Sequence, residues 1–342
     1  MSGYGKPAVL LLNVGSPDAP TAPALRRYLR TFLDDPRVVD LPAVIRKILV
    51  HLVIVPLRAP KSARLYQSIW TERGSPLLVH TDGQAAGLRS RLGAVPVAYA
   101  MRNGNPSIPD VVERLLADAV TDIVVLPLFP QYASASTGTA VSELYRALRK
   151  YPYLPSVHVV GPFFDDPAYL DAVATRIRAN VAGFRSDYLL FSYHGLPVRQ
   201  LRAAARTSGG DCRLSDCCDE VRSGNHGCYR AQCLATSRAL AARLPGVKSS
   251  TAFQSRLKGA EWMQPYTDET AVGLIRQGVR RLAIACPSFV SDCLETVSEI
   301  GMELRAEFIR AGGEELTLVP CLNEDPAWLD ALAGLARRGL SA

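Results

Sequence analysis

The sequence predicts an α/β protein made of two similar Rossmann-like domains, each a parallel sheet flanked by helices. Three observations predict this. Short apolar runs alternate with helical patterns along the chain, which is the pattern of parallel strands with helices over both faces. The second half repeats the grammar of the first. Asn13-Val-Gly-Ser-Pro17 is answered by Tyr193-His-Gly-Leu-Pro197, and Val125-Leu-Pro-Leu-Phe129 by Ala285-Cys-Pro-Ser-Phe289. The length of 342 residues suits two domains of ordinary size, expected at 1–164 and 165–342, with the active-site cleft formed between them by strand ends.

Ala8-Val-Leu-Leu-Leu-Asn13 reads as the first strand, closed by Val14-Gly-Ser-Pro17. Residues 20–34 follow as an amphipathic helix with Leu25, Tyr28, Leu29 and Phe32 on one face. Residues 41–57 are unusually apolar and carry cations in and after them: Arg46, Lys47, Arg58, Lys61 and Arg64. A helix packed on the domain is expected there. The alternative is an apolar lip that meets a membrane or a hydrophobic ligand.

Val97-Ala-Tyr-Ala-Met-Arg102 is the next strand and ends on an arginine. A helix is expected over 107–119. Asp122 to Tyr132 reads as a buried strand, and Ala133-Ser-Ala-Ser-Thr-Gly138 leads into a helix ending near Lys150. Val157-His-Val-Val160 closes the first half. Pro162-Phe-Phe-Asp-Asp-Pro167 crosses to the second, whose first helix spans about 169–181. No Gly-x-Gly-x-x-Gly follows any strand, which argues against a dinucleotide site.

In the second half Asp187 to Pro197 is an apolar run that stops at His194, Gly195 and Pro197. A strand-end histidine sits where ligands bind in open α/β sheets, and it can accept a proton or ligate a metal near pH 7. Arg281 to Ile300 reads as strand, proline turn and helix, with Ser291 and Asp292 as good N-caps. Glu295 falls in the first turn of that helix, so His194 and Glu295 offer a base and a carboxylate at one sheet edge.

Five of the eight cysteines lie within 212–233: Cys212, Cys217, Cys218, Cys228 and Cys233. Such clustering argues for metal or reactive thiols rather than disulfides in a cytoplasmic protein. The compartment is expected from the N-terminus, which lacks a signal-peptide core, and from the lack of an apolar run of about 18 residues. A net charge of +7 suits an anionic ligand or membrane surface. No long Lys/Arg run appears, so nucleic acid is not expected.

These segments together resemble ferrochelatase, nearly end to end. The motifs are Leu12-Asn-Val-Gly-Ser-Pro17, Pro130-Gln-Tyr-Ala-Ser-Ala-Ser-Thr-Gly138, Ser192-Tyr-His-Gly-Leu-Pro197, Phe253-Gln-Ser-Arg256, Trp262-Met-Gln-Pro-Tyr-Thr-Asp-Glu269 and Phe289-Val-Ser-Asp-Cys-Leu-Glu-Thr296. The resemblance implies insertion of Fe²⁺ into protoporphyrin IX with loss of two protons. It carries the catalytic histidine to His194 and the essential glutamate to Glu295, both facing the substrate iron. It carries a propionate-binding arginine to Arg102. The segment near the macrocycle falls on Ser134 to Gly138, with Thr137 inside it and Tyr132 before it. Some members have histidine where this chain has Cys293. Val14 resembles the protoporphyrin-using branch rather than the coproporphyrin-using one, which tends to have tyrosine there.

The cysteine segment 212–233 is an insert relative to most of that family. It resembles the internal form of the [2Fe–2S] site that some bacterial members carry, which needs four thiolates. Zinc is the rival occupant, held by four cysteines or by three with His226. Cys217 and Cys218 are adjacent and point different ways in an extended chain, so one of them is the expected spare. A cysteine equivalent to Cys233 occurs in members without the insert, which weakens it as a ligand. A monomer or homodimer with peripheral membrane contact is expected. Two other readings compete: a cobalt or nickel chelatase of another tetrapyrrole, and a non-catalytic iron–sulfur or haem-binding regulator.

Overall fold

Apolar runs of four to seven residues, each followed by a helix, build two four-stranded parallel sheets in the computed structural model, which describes residues 5–207, 209–257 and 259–342. The strands of the first sheet are β1 (Pro7–Asn13), β2 (Val97–Met101), β3 (Asp122–Pro127) and β4 (Ser156–Val159), in the order β2-β1-β3-β4. Those of the second are β5 (Tyr188–His194), β6 (Ser249–Gln254), β7 (Arg281–Ala285) and β8 (Glu315–Leu318), in the order β6-β5-β7-β8. The two orders are the same, as the repeated grammar of the halves predicts. In each sheet the first strand is central, and the chain leaves it to one side and later returns to the other. That is the topological switch point, where α/β sheets bind ligands. Val14 follows the end of β1, and His194 ends β5.

The chain divides into two compact units. Unit 1 comprises 1–128, 134–161 and 329–342; unit 2 comprises 129–133 and 162–328. The chain crosses from unit 1 to unit 2 for its longest run at 161/162. Two pieces lie elsewhere than expected. Residues 129–133 belong to unit 2, and the C-terminal segment 329–342 belongs to unit 1. The helix Pro326–Leu340 explains the second difference. Leu329 packs against Gly87, leaving no room there for a Cβ. Asp330 accepts a bond from Arg91 at 2.6 Å, and Gly339 lies against Val124.

The apolar stretch departs from the first expectation. It folds as a helix (Ala43–Ile48), a π-helical turn (Leu49–Ile54) and a further helix (Val55–Ile69). Only one side packs, through Val50, Val55 and Ala59. Val44, Leu52 and Leu57 are 71%, 71% and 74% exposed, and Ile45, Ile48 and Val53 are exposed beside them. It is an apolar lip rather than a buried helix. No helix among the described residues is long and apolar enough to cross a membrane.

Candidate active site

Strand β5 is apolar and buried until His194, which is half-buried at its end. Gly195 makes the close turn possible. A Cβ there would stand 2.8 Å from the Gln254 carbonyl oxygen, which already accepts the Gly195 N–H at 2.8 Å. The His194 ring is tilted against Phe289, with centroids 6.5 Å apart. Its Nδ1 lies 2.7 Å from the Gly195 carbonyl oxygen. A carbonyl can only accept, so Nδ1 carries a hydrogen, and Nε2 is the nitrogen that holds the lone pair whenever the ring is neutral.

Beyond β7 the turn Cys286-Pro-Ser-Phe-Val-Ser-Asp-Cys293 leads to a short helix, Leu294–Val297. Its N-cap is Cys293, not Ser291 or Asp292 as expected. Asp292 is drawn away by the chain beyond β8. Its carboxylate accepts from Asn323 Nδ2 at 2.7 Å, from Thr296 Oγ1 at 3.0 Å and from Cys321 N–H at 3.3 Å. Glu295 is half-buried in the first turn, where its backbone oxygen accepts from Gln254 Nε2 at 2.7 Å. Burial pushes the Cys293 thiol well above its usual range, and the Glu295 carboxylate, to which the thiol donates, adds to the rise.

A second carboxylate joins this edge, and sequence reasoning missed it. Glu299 opens a π-helical turn, Glu299–Leu304. Its two oxygens accept from Ser255 N–H at 2.8 Å and from Ser255 Oγ at 2.6 Å. Ser255 is held in the left-handed region at φ 67°, a strained conformation that such paired bonds stabilise. Burial raises the Glu299 carboxyl above the usual range; the Ser255 bonds and the charge of His194 oppose the rise, and the charge of Glu295 adds to it. The available signal was spacing: residues i and i+4 share a helix face, and Glu295 and Glu299 are so spaced. Unit 2 thus brings together His194, Glu295 and Glu299.

Unit 1 brings together Val14, Arg102 and the segment Ser134–Gly138. Gly15, at φ 94°, allows the backbone to approach so closely that a Cβ would meet the Asn103 carbonyl oxygen at 1.7 Å. The half-buried Val14 accepts through its backbone oxygen from Asn103 N–H at 3.0 Å and Nδ2 at 3.2 Å. Ser134 is exposed, Thr137 and Gly138 are half-buried, and all three lie in a π-helical turn. Arg102 is already engaged: Nη2 donates to Asp35 at 2.8 Å and Nε to Thr139 Oγ1 at 2.7 Å. Thr139 also donates to Asp35. Burial raises the Asp35 carboxyl, but bonds from Thr139, from Arg37 N–H and from Arg102 outweigh it and hold the group below the usual range. These residues floor a polar cavity of about 690 Å³, with Arg37, Arg146 and Arg149 among its lining. Tyr132 belongs to unit 2, where its N–H donates to Gln232 Oε1 at 2.7 Å.

The cysteine segment is also in unit 2. Cys217 and Cys218 lie on a 3₁₀ turn, Asp216–Cys218, rather than on an extended chain. Their sulfurs are 3.7 Å apart. Cys218 donates to Cys228, which pushes the Cys228 thiol down to about 7 and the Cys218 thiol up. Cys218 and Cys228 are buried around Ala231, with Cys217 against them. Cys212 is near enough to feel the charges of Cys217 and Cys218. Cys233 is fully buried inside the helix Tyr229–Arg243, where it too feels the charge of Cys218. Among the described residues no three His, Cys, Asp or Glu side chains close on one point as ligands of a single ion.

The sequence model of the family described as Ferrochelatase matches residues 6–340. The chain is 44% identical to "Ferrochelatase" of Coxiella burnetii (strain CbuK_Q154), over 98% of this chain and 94% of that one. It is 46% identical to "Ferrochelatase" of Opitutus terrae, over 98% of each. Among solved structures it is similar to "SirB from Bacillus subtilis with Fe3+", with a TM-score of 0.55 at 12% identity over 98% of this chain and 95% of that one. It is also similar to "The structure of CbiX, the terminal Enzyme for Biosynthesis of Siroheme in Denitrifying Bacteria", at 0.51 and 14% over 97% and 98%. At such identities these structures speak for the fold alone.

Proposed function

The chain belongs to the ferrochelatase family, and from that premise we infer that it is a metal chelatase inserting Fe²⁺ into protoporphyrin IX to give protohaem. One observation carries the assignment to particular groups: His194, Glu295 and Glu299 share one edge of the second sheet. Insertion releases two pyrrole protons, so the site must take protons at the face where a cation arrives. With Nδ1–H held by the Gly195 carbonyl, Nε2 is the nitrogen of His194 that takes one of them when the ring is neutral. Burial raises the affinity of Glu299 for a proton above that of an ordinary carboxylate, which suits it to receive one, and Glu295 adds negative charge for the cation. Ser255 and Gln254 hold the two acidic residues in place.

The remaining site residues follow the same reading. Val14, Tyr132, Ser134, Thr137 and Gly138 contact the macrocycle. Arg102 serves propionate binding through the cationic cavity whose floor it forms with Asp35, rather than as a free guanidinium. The exposed lip at 44–57 and the cations beside it contact a membrane surface, which suits an apolar porphyrin.

The cysteine insert fits a [2Fe–2S] centre held by Cys212, Cys217, Cys218 and Cys228. Such a centre asks for only two thiolates at each metal. Thiolate sulfurs on one tetrahedral metal lie about 3.8 Å apart for bonds of about 2.3 Å, close to the Cys217–Cys218 separation of 3.7 Å. Cys218 also lies against Cys228, so three of the four thiols are neighbours. Iron insertion changes no oxidation state, so the centre would supply ordering of the loop rather than redox chemistry.

Zinc or iron insertion into protoporphyrin, followed by absorbance, tests the function. His194→Ala should abolish insertion with the far-UV spectrum unchanged. Glu295→Gln should lower kcat far more than porphyrin affinity. Turnover near that of the wild type by a folded His194→Ala variant would defeat the assignment.

A further inference from the structure

Strand β5 loses one neighbour before it ends. Its pairing with β7 stops at Phe191 opposite Ala285, whereas its pairing with β6 continues to His194 opposite Gln254. At the histidine the strand partner is therefore Gln254. The Gln254 carbonyl oxygen accepts the Gly195 N–H at 2.8 Å, so the turn beyond the imidazole rests on the same residue. The Gln254 side chain meets the second group of the site. Its Nε2 donates to the Glu295 carbonyl oxygen at 2.7 Å. One residue thus bonds the backbone on both sides of the base and the carboxylate.

The amide of Gln254 is itself oriented by two hydroxyls, and all three residues are buried. Side chains two apart on a strand share a face, so Ser192 lies on the face of His194 and its partner Gln254. Ser192 Oγ donates to Gln254 Oε1 at 2.7 Å, and it lies 2.8 Å from Thr267 Oγ1. Ser192 has one hydrogen and spends it on the amide, so Thr267 is the donor of the second pair. The bonds run head to tail from Thr267 through Ser192 and the amide to the Glu295 carbonyl. Turned over, the amide would set its oxygen against the Glu295 carbonyl oxygen, and two acceptors cannot bond. Thr267 opens the helix Thr267–Ile275, and the segment before it is tied down at two points. Phe253 N–H donates to the Pro265 carbonyl oxygen at 2.8 Å, and Met263 N–H to the Leu196 carbonyl oxygen at 3.0 Å.

We propose that Gln254 is a positioning residue that fixes the spacing of Glu295 from His194, and that Ser192 and Thr267 set the orientation of its amide. The helix that carries Glu295, Leu294–Val297, has only four residues, so a bond from β6 to its first turn does much to place it. Hydrogen bonds are directional, and buried ones have no water to replace a lost partner. Displacing either group by a fraction of an ångström costs rate rather than substrate affinity. The proposal rests on the chelatase reading of His194 and Glu295.

The test measures kcat and KM for porphyrin in zinc insertion, with the melting temperature as the check on folding. Gln254→Leu removes both amide bonds and should lower kcat about tenfold or more, with KM within about twofold of the wild type. Ser192→Ala and Thr267→Val each break the relay at one bond and should lower kcat about three- to tenfold, again with KM kept. Thr267→Ser keeps the donor and should recover at least about half of the wild-type kcat. Wild-type kcat in folded Gln254→Leu, or a raised KM with kcat kept, would overturn the positioning role. Equal kcat in Thr267→Val and Thr267→Ser would overturn the relay, and that pair decides it even where Gln254→Leu fails to fold. Normal turnover by His194→Ala would instead defeat the functional reading, and the proposal with it.

Discussion

Asp35→Asn isolates a buried ion pair in the polar cavity of unit 1. Side chains of Arg102 and Asp35 are only 13% and 7% exposed, and their closest atoms are 2.8 Å apart. Removing one charge from a buried pair costs about 3–5 kcal/mol, because the partner stays desolvated and unpaired. An asparagine oxygen still accepts one bond, so the low end, about 3 kcal/mol, is expected at pH 7. With a urea slope near 3 kcal/mol/M that is about 1 M in the midpoint. The sign with pH follows from the depressed Asp35 carboxyl. A group whose pKa is lower in the folded state adds stability above its unfolded value, near 3.9, and loses it as pH falls through the folded value. The gap between wild type and variant should therefore narrow on acidification towards about pH 3. Urea unfolding followed by circular dichroism at both pH values is the assay. A midpoint shift below about 0.2 M, or one equal at both pH values, would show that the pair is not a desolvated one.

Three other outcomes are expected. Glu299→Gln should lower kcat about tenfold or more and move the acidic limb of the pH–rate profile to lower pH, because the raised carboxyl no longer has to lose its proton first; an unmoved limb would count against Glu299 as an acceptor. Leu52→Glu with Leu57→Glu should reduce co-sedimentation with vesicles containing anionic lipid and leave the melting temperature within about 2 °C, since both side chains are over 70% exposed. Cys212→Ser or Cys228→Ser should bleach the protein and remove its non-haem iron; full iron content in either would exclude that thiol from the metal centre.

Much of the fold was legible because it is written in local pattern. The runs that became β1, β3, β5 and β7 are apolar and end in Gly or Pro, and His194 stands out at such an end. Strands β6 and β8 were not read, since Ser249-Ser-Thr begins polar and Glu315-Leu-Thr-Leu318 has only four residues. Pattern also could not decide which side of 41–57 faces water, because an apolar lip and an apolar core helix look alike. The C-terminal helix was assigned to the wrong unit, for its partners Gly87 and Arg91 are far away in sequence. Glu299 was missed for another reason: only its i+4 spacing from Glu295 marked it, and the strained Ser255 and π-helical turn that hold it have no compositional signature.

That π-helical turn has an evolutionary side. A π turn holds one residue more than the α-helical turn it replaces, and one residue rotates an α-helix by about 100°. Deleting any single residue from 300–303 would let an unbroken helix run from Leu294 through Arg310. The same deletion would swing the two glutamates out of phase with the helix that follows, which is anchored on the core by Leu304 and Phe308. The most stable version of this segment is therefore one in which the acids no longer face the histidine. Random mutagenesis selected only for thermostability should find such deletions and lose activity with them, and an alignment of active homologues should keep the length of this segment while its residues drift.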